Sequence, residues 1–478
     1  MYFMENFDVM VIGAGSGEII LDYALSHGMR VALIERGPLG GTCANRGCIP
    51  SKILLYPADV VDIIKNAGKF GINAKIDSID FKYIMNRMRG ILKEDQKREQ
   101  YVEQVPNLKW YKGIGEFVGD YTLKVNGTKI KADAVFIVSG ARPYIPPIEG
   151  LDNVDYLTSA TLLELEELPK SIIIVGGGYI ACEYAHFLSS MGSKVTIIQR
   201  ATRLVKEQEP EISDLLKSEM GKKMDIFTGY EVKSVSEIQD GLKEVIAEEK
   251  GTEKETRLSA EAILIAAGRR SNADLLKPEK TGVEIDAKGG WVKVNEYFET
   301  SKERIWSFGD AIGPKYYMFK HVANYEARVT WYNAHSTLHP EEAHRHNHGD
   351  HATKVAADYH AVPWAVFSNP EIAGVGLTER QAKEQGNNLL IAKNNYKDTA
   401  KGEAMGNPPG FIKLIVERDT QKILGASIVG PSASVLIQEI INVMNCGDGT
   451  ILPLYQSMHI HPALSEVVSF ALGNFQEV

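Results

Sequence analysis

The strongest constraint on what this chain can fold into is a signal that it carries twice. An apolar run, residues 7–12, leads into Gly13-Ala14-Gly15-Ser16-Gly17-Glu18, then a helical stretch and a second apolar run, residues 30–34, that ends in Glu35. Residues 171–175 repeat the pattern through Gly176-Gly177-Gly178-Tyr179-Ile180-Ala181, a helical stretch to Leu188 and the run 194–198. Strand, glycine turn, helix and parallel strand make a βαβ unit. Its glycines permit a tight turn and bring backbone N–H groups, at the positive end of the helix, against a pyrophosphate. Two such units predict two dinucleotide sites on an α/β fold with two Rossmann-like domains.

In the first unit Gly13, Gly15 and Gly17 line the turn, and Glu35, roughly 20 residues on, is placed to accept from a ribose hydroxyl. Glu18 stands where a third glycine usually permits close helix–strand packing, a departure that would alter the pyrophosphate contact if the helix packs further out. In the second unit the strand ends in Gln199-Arg200, with Arg203 and Lys206 close behind, where an acidic residue would read the 2′-hydroxyl of NAD. Cations suit a 2′-phosphate, so NADP(H) is favoured over NAD(H).

Just beyond the first unit lies Gly40-Gly41-Thr42-Cys43-Ala44-Asn45-Arg46-Gly47-Cys48-Ile49-Pro50-Ser51-Lys52. Two glycine-flanked cysteines beside a nucleotide site, in a chain with 4 cysteines in all, read as a working dithiol/disulfide rather than a structural staple. A helix beginning near Cys48 would favour thiolate at its positive end. Cys182 and Cys446 have no partner nearby in sequence and are expected to be small buried thiols.

The 478 residues suggest about three folding units. A composition of 44% hydrophobic and 24% charged residues, with no apolar run of bilayer length, excludes a membrane span. A net charge of −9 without a basic block argues against nucleic acid as a partner. No secretory pattern opens the chain, and the cytoplasm is the expected location.

Helical patterns at 51–68 and 80–105 are followed by short strands at 110–125 and 130–138, which close on Ser139-Gly140-Ala141-Arg142-Pro143. Pro143, Pro146, Pro147 and Gly150 form a breaker-rich linker. A run of strands at 231–265 ends at Gly268, and Asp310 of Ser307-Phe308-Gly309-Asp310-Ala311 is placed to hold a second part of the first cofactor. His339, His344, His346, His348 and His351 crowd a segment spanning 335–360, which reads as a solvated loop rather than a metal site. An α+β region follows, with strands near 365–367, 411–417 and 424–429 and helices near 378–385 and 434–444. Close to the end, Glu466 follows His461-Pro462 at a spacing that lets the carboxylate orient the imidazole and raise its basicity. The domains are expected at 1–150 (first dinucleotide site), 151–270 (second dinucleotide site), 271–355 (a central part returning to the first) and 356–478 (the α+β region).

The full set, Gly41-Thr42-Cys43 through Cys48-Ile49-Pro50-Ser51-Lys52, both fingerprints, Phe308-Gly309-Asp310 and His461 to Glu466, resembles the FAD-dependent pyridine-nucleotide disulfide oxidoreductases nearly end to end. That family includes dihydrolipoamide dehydrogenase and the glutathione, mycothione and mercuric reductases. The resemblance implies a homodimer whose flavin lies between nicotinamide and disulfide, with an α+β dimerisation domain at the C-terminus. It implies that Cys48 faces the flavin, that Cys43 exchanges with substrate, and that Lys52 sits by flavin N5 paired with Glu183. Tyr179 would gate the nicotinamide pocket, and His461, oriented by Glu466, would act on the partner's Cys43. Gly41, Thr42 and Gly140 join the flavin contacts by the same resemblance, and Ile180 and Gly268 the nucleotide contacts.

Electrons would pass from NAD(P)H through FAD and the Cys43–Cys48 disulfide to a small disulfide substrate. Without the extra C-terminal cysteine pair expected of a mercuric reductase, that reading drops away. Ala181 and the Arg200/Lys206 pair look like the NADPH-using reductases, and residues 15–22, 270–276 and 320–328 look most like mycothione reductase. His459 with His461 resembles the double histidine of dihydrolipoamide dehydrogenases, which keeps a dihydrolipoyl dehydrogenase of a 2-oxo acid or glycine-cleavage system as the second reading.

Overall fold

A computed structural model describes residues 4–339 and 354–478. The chain forms two compact units, Met1–Pro50 with Asn86–Tyr144 and Gly268–Ala357, and Ser51–Met85 with Ile145–Ala267 and Asp358–Val478.

The first unit is built on strands β1 (Met4–Ile12), β2 (Val31–Glu35), β3 (Leu108–Lys112), β4 (Gly115–Gly119), β5 (Thr122–Val125) and β6 (Thr128–Ile137). Their sheet order is β3-β2-β1-β6-β5-β4, and Ile305–Ser307 adds to β6. Strands β3, β2, β1, β6 and Ile305–Ser307 pair in parallel, whereas β4 and β5 form an antiparallel edge. Val9, Met10 and Val11 of the central β1 are fully buried. Such a continuous apolar run, rather than an alternating one, is what a parallel strand covered on both faces requires. Helix α1 (Gly17–Ser26) crosses from β1 to β2 and packs on Lys320–Leu338, with Tyr23 stacked on Trp331 at 5.8 Å.

The second unit holds three sheets. Asp225–Thr228, Lys194–Gln199, Ser171–Val175 and Ala262–Ile265 form a parallel sheet in that order. Tyr230–Glu237, Lys243–Glu249 and Glu255–Ala260 form an antiparallel one. The helix Tyr179–Met191 is buried on nearly every side, in keeping with its sparse polar residues. The third sheet is six-stranded, Pro363–Val366, Ile372–Gly376, Ile423–Val429, Phe411–Glu417, Leu389–Asn395 and Gln476–Glu477, with Ala433–Met444 and Glu466–Ala471 packed on it. Ile372–Gly376 and Leu389–Asn395 were not expected from sequence, because glycines and asparagines break their apolar pattern. Gly374 is needed there, since a Cβ would lie 2.3 Å from the Trp364 ring. The architecture is α/β with two Rossmann-like sheets and a C-terminal α+β region.

An ion network ties the last sheet to the start of the helix Pro210–Met220. Lys413 Nζ lies 2.8 Å from Glu209, 2.9 Å from Glu211 and 2.7 Å from Glu379. Lys393 and Lys383 pair in turn with Glu211 and Glu379.

Two expectations need correction. Cys182 is buried, but Cys446 is exposed, because Ala433–Met444 has already ended and the chain turns outward. His335 belongs to the helix Lys320–Leu338 rather than a loop, and packs on Trp331, His27 and His339. His344, His346, His348 and His351 lie outside the described residues.

Candidate active site

The first glycine turn is sterically exact at two positions. Gly13 has φ +114°, and a Cβ there would sit 2.3 Å from the Val138 carbonyl oxygen. A Cβ on Gly17 would meet Val138 Cγ2 at 2.7 Å and Val11 Cγ1 at 3.0 Å. The close helix–strand contact is therefore made at Gly17, so Glu18 does not force the helix outward. Glu18 Oε1 instead accepts from Gly40 N at 2.8 Å. Glu35 closes the loop, accepting from Ala14 N at 2.9 Å and Gly37 N at 2.7 Å.

A dinucleotide fits this surface. Cβ positions on Gly15 and Gly140 face open space, and Ser139 Oγ is buried with no hydrogen-bond partner among the described residues. Asp310, just beyond Ile305–Ser307, has its carboxyl pushed up by burial and drawn back by Arg269, whose Nε lies 3.6 Å away. These groups suit the hydroxyls and phosphates of FAD.

The cysteine stretch folds into α2 (Gly41–Arg46) and α3 (Cys48–Asn66), separated at Gly47. Gly41 and Thr42 enter α2 where a Cβ on Gly41 would lie 2.7 Å from Gly15 Cα, so the cysteine-bearing loop rests directly on the glycine turn. Cys43 is half-buried and Cys48 exposed, both as thiols. A hydrogen bond to Cys48, then burial, push the Cys43 thiol up, while Lys320 pulls it down. Cys48 opens α3, as expected.

One turn further along α3, Lys52 Nζ lies 2.7 and 2.8 Å from the two oxygens of Glu183. Glu183 is buried and also accepts from Phe367 N at 3.1 Å, and Lys52 sits 4.6 Å over the Phe367 ring. The same helix pair carries a contact that sequence did not foresee, His186 Nε2 to Asp59 at 2.9 Å. No local spacing announces it, since the two residues come from separate segments.

The second glycine turn repeats the first. Gly176, φ +124°, would place a Cβ 2.2 Å from Ala266 O, whereas Gly178 and Gly268 face open space. Tyr179 and Ile180 open the helix behind them, Tyr179 being 36% exposed. Arg200 is largely exposed, 3.7 Å from Glu231, and Lys206 stands 3.8 Å from Glu207. Arg203 is held by Asp214 at 2.8 Å. The structure thus leaves Arg200 and Lys206 more accessible to a phosphate than Arg203. Burial pushes the Cys182 thiol up to about 12, which leaves it inert.

His461 Nδ1 and Glu466 Oε1 lie 2.7 Å apart, with Ala463 N donating to the other Glu466 oxygen at 3.1 Å. The bond to His461 leads in holding the Glu466 carboxyl below its ordinary value. His459 has its own carboxylate, Glu439, at 2.6 Å, a partner 20 positions away that sequence could not identify. Among the described residues no group of three or more His, Cys, Asp or Glu side chains could hold a metal ion. No helix among them is long and apolar enough to cross a membrane.

Residues 7–336 match the family model for pyridine nucleotide-disulphide oxidoreductases, and residues 362–472 match that family's dimerisation domain. Mycothione reductase of Mycobacterium tuberculosis is 37% identical over 98% of this chain and 99% of its own. Dihydrolipoyl dehydrogenase of Bacillus subtilis is 32% identical over 98% of this chain and 97% of its own. The flavoprotein disulfide reductase RclA of Escherichia coli superposes with a TM-score of 0.83 at 27% identity, over 98% of this chain and 99% of RclA. On the matching domain models, the full-length relatives and the shared fold, the chain belongs to the pyridine nucleotide-disulphide oxidoreductase family and is an FAD-dependent oxidoreductase.

Proposed function

We propose that the protein is an NADPH-dependent reductase of a small disulfide, akin to mycothione and glutathione reductases, working in the cytoplasm as a homodimer. The observation that carries this reading is the Cys43–Cys48 thiol pair, Cys43 in α2 and Cys48 opening α3, with the two thiols within hydrogen-bonding reach.

Bound FAD would supply the two-electron link that reopens the Cys43–Cys48 disulfide at the expense of NADPH. Gly13, Gly15, Gly17, Glu35, Gly41, Thr42, Gly140 and Asp310 would hold it. Gly176, Gly178, Tyr179, Ile180, Gly268, Arg200 and Lys206 would hold the nicotinamide nucleotide. In the dithiol form, the Cys43 thiolate attacks one sulfur of the substrate disulfide and expels the other as a thiolate. Cys48 then attacks Cys43 Sγ, expelling the second substrate thiol and forming the enzyme disulfide. Each turnover thus converts one substrate disulfide to two thiols.

His461, held in one orientation by Glu466, would protonate the departing thiolate. It would act on the partner's Cys43, as the match of residues 362–472 to a dimerisation domain suggests. Two apolar faces suit such an interface, Tyr56, Val60 and Ile63 along α3, and Val435, Met458 and Ile460, the latter two 100% and 77% exposed. In this reading the chain is divided into an FAD domain in 1–150, a nucleotide domain in 151–270, a return in 271–355 and an interface domain in 356–478, although the compact units assign Ser51–Met85 with the second unit rather than the first.

Steady-state assays of the flavin-loaded protein with NADPH and NADH, against glutathione, mycothiol and lipoamide disulfides, test this reading. Faster turnover with NADPH is expected, and a marked preference for NADH would overturn the nucleotide assignment. Undiminished disulfide reduction by Cys48→Ser would overturn the mechanism. The second reading, dihydrolipoyl dehydrogenase, draws on the paired His459 and His461. Rapid reduction of NAD by dihydrolipoamide would establish it.

A further inference from the structure

Glu18 is the residue of the first fingerprint that the family pattern leaves without a role. Its carboxylate reaches across to the redox loop. Gly40 N donates to Glu18 Oε1 at 2.8 Å and to Ala14 O at 2.9 Å, and Gly40 is the left-handed residue, φ +88°, from which α2 starts. Cys43 lies three residues further along that helix. On the other side Lys320, the first residue of Lys320–Leu338, donates to Ser16 Oγ at 3.2 Å, and Ser16 donates to Asn324 at 2.8 Å. The glycine turn, the redox loop and this helix are therefore laced together by side chains.

We infer that Glu18 is a positioning residue for the redox loop, fastening Gly40 to the glycine turn so that Cys43 is held in place, with Lys320 as its counter-charge. The role rests on Cys43 and Cys48 being the redox pair. The charged groups around the Glu18 carboxylate are Lys320, Asp22 on its own helix and Glu35 at the end of β2. Burial pushes its carboxyl up, Gly40 N–H and Lys320 draw it down, and Asp22 and Glu35 add to the rise. When the carboxyl takes up a proton it becomes a weaker acceptor for Gly40 N–H, so the loop loosens as pH falls through this raised value.

The test is the rate of iodoacetamide alkylation of Cys43, read by peptide mass spectrometry in the reduced, flavin-loaded protein between about pH 5 and 9. Glu18→Ala, Glu18→Gln and Lys320→Met are compared with the unaltered chain. Two ionisations are expected in the unaltered profile, that of the thiol and a second on the acid side. Glu18→Gln should abolish the second while keeping most of the rate at neutral pH, because an amide oxygen still accepts from Gly40. Lys320→Met should move the second toward neutrality, and Glu18→Ala should change the neutral-pH rate about tenfold with flavin retained. An acid limb that survives in Glu18→Gln would overturn the inference, as would an unchanged Cys43 profile in Glu18→Ala. Should Glu18→Ala lose flavin or fail to fold, the Gln variant decides alone. Alkylation needs no turnover, so a failure here is distinct from failure of the disulfide-reductase reading, which the Cys48→Ser assay addresses.

Discussion

Replacing Lys413 with methionine should cost more stability than its single charge suggests. Lys413 is 2% exposed and touches three carboxylates, but these are not equivalent. Glu211 and Glu379 keep Lys393 and Lys383 and stand partly in solvent, so each loses about 1 kcal/mol or less. Glu209 is 2% exposed, and its other recorded donor is Glu379 N at 2.6 Å. Lys413→Met would strand that carboxylate in the interior, a change that costs about 3–5 kcal/mol. Adding Glu209→Gln to Lys413→Met removes the stranded charge and should recover more than half of the loss. The assay is native-state hydrogen exchange of strand Phe411–Glu417 in the flavin-loaded single and double variants, which does not require the whole chain to unfold in one step. Additive losses, or a single-variant loss below about 1 kcal/mol, would refute the reasoning. The network also sets an acid limit. Bonds from Lys383 and then Lys413 hold the Glu379 carboxyl down to about 2, against 4.5 when unpartnered. Its share of stability is complete above pH 4.5 and is lost as pH falls toward about 2.

Gly17→Ala places a methyl group against Val138 and Val11 and should destabilise the flavin unit by about 1–3 kcal/mol, measured as faster FAD loss on mild heating; equal FAD retention would count against it. Arg200→Glu with Lys206→Glu should raise the KM for NADPH about tenfold or more while barely changing that for NADH, and parallel changes for both would remove the 2′-phosphate assignment. Glu466→Ala should lower kcat for disulfide reduction about tenfold to a hundredfold, with FAD retained, because His461 loses the carboxylate that orients it; unchanged kcat would dismiss that role.

The legibility of the chain followed the range of the interactions. Each fingerprint is local. Gly13 and Gly176 adopt positive φ, a demand of the turn's own backbone that a short glycine motif announces, and the cysteine pair and the His461–Glu466 spacing are just as compact. Contacts between distant segments left no such trace. The Lys52–Glu183 pair entered through resemblance, while Asp59–His186, Glu439–His459 and the Lys413 network emerged only when separate strands and helices were brought together. The exposure of Cys446 depended likewise on where a helix stopped.

Sequence alone determined that the chain carries two glycine turns between strand and helix and a closely spaced, glycine-flanked cysteine pair, because backbone geometry demands particular residues at short spacing. Tertiary structure decided which glycine bears the close packing and what Glu18 does instead. Packing at Gly17 depends on Val138 from a strand more than a hundred residues away, and the Glu18 carboxylate acquires meaning only from the loop folded against it.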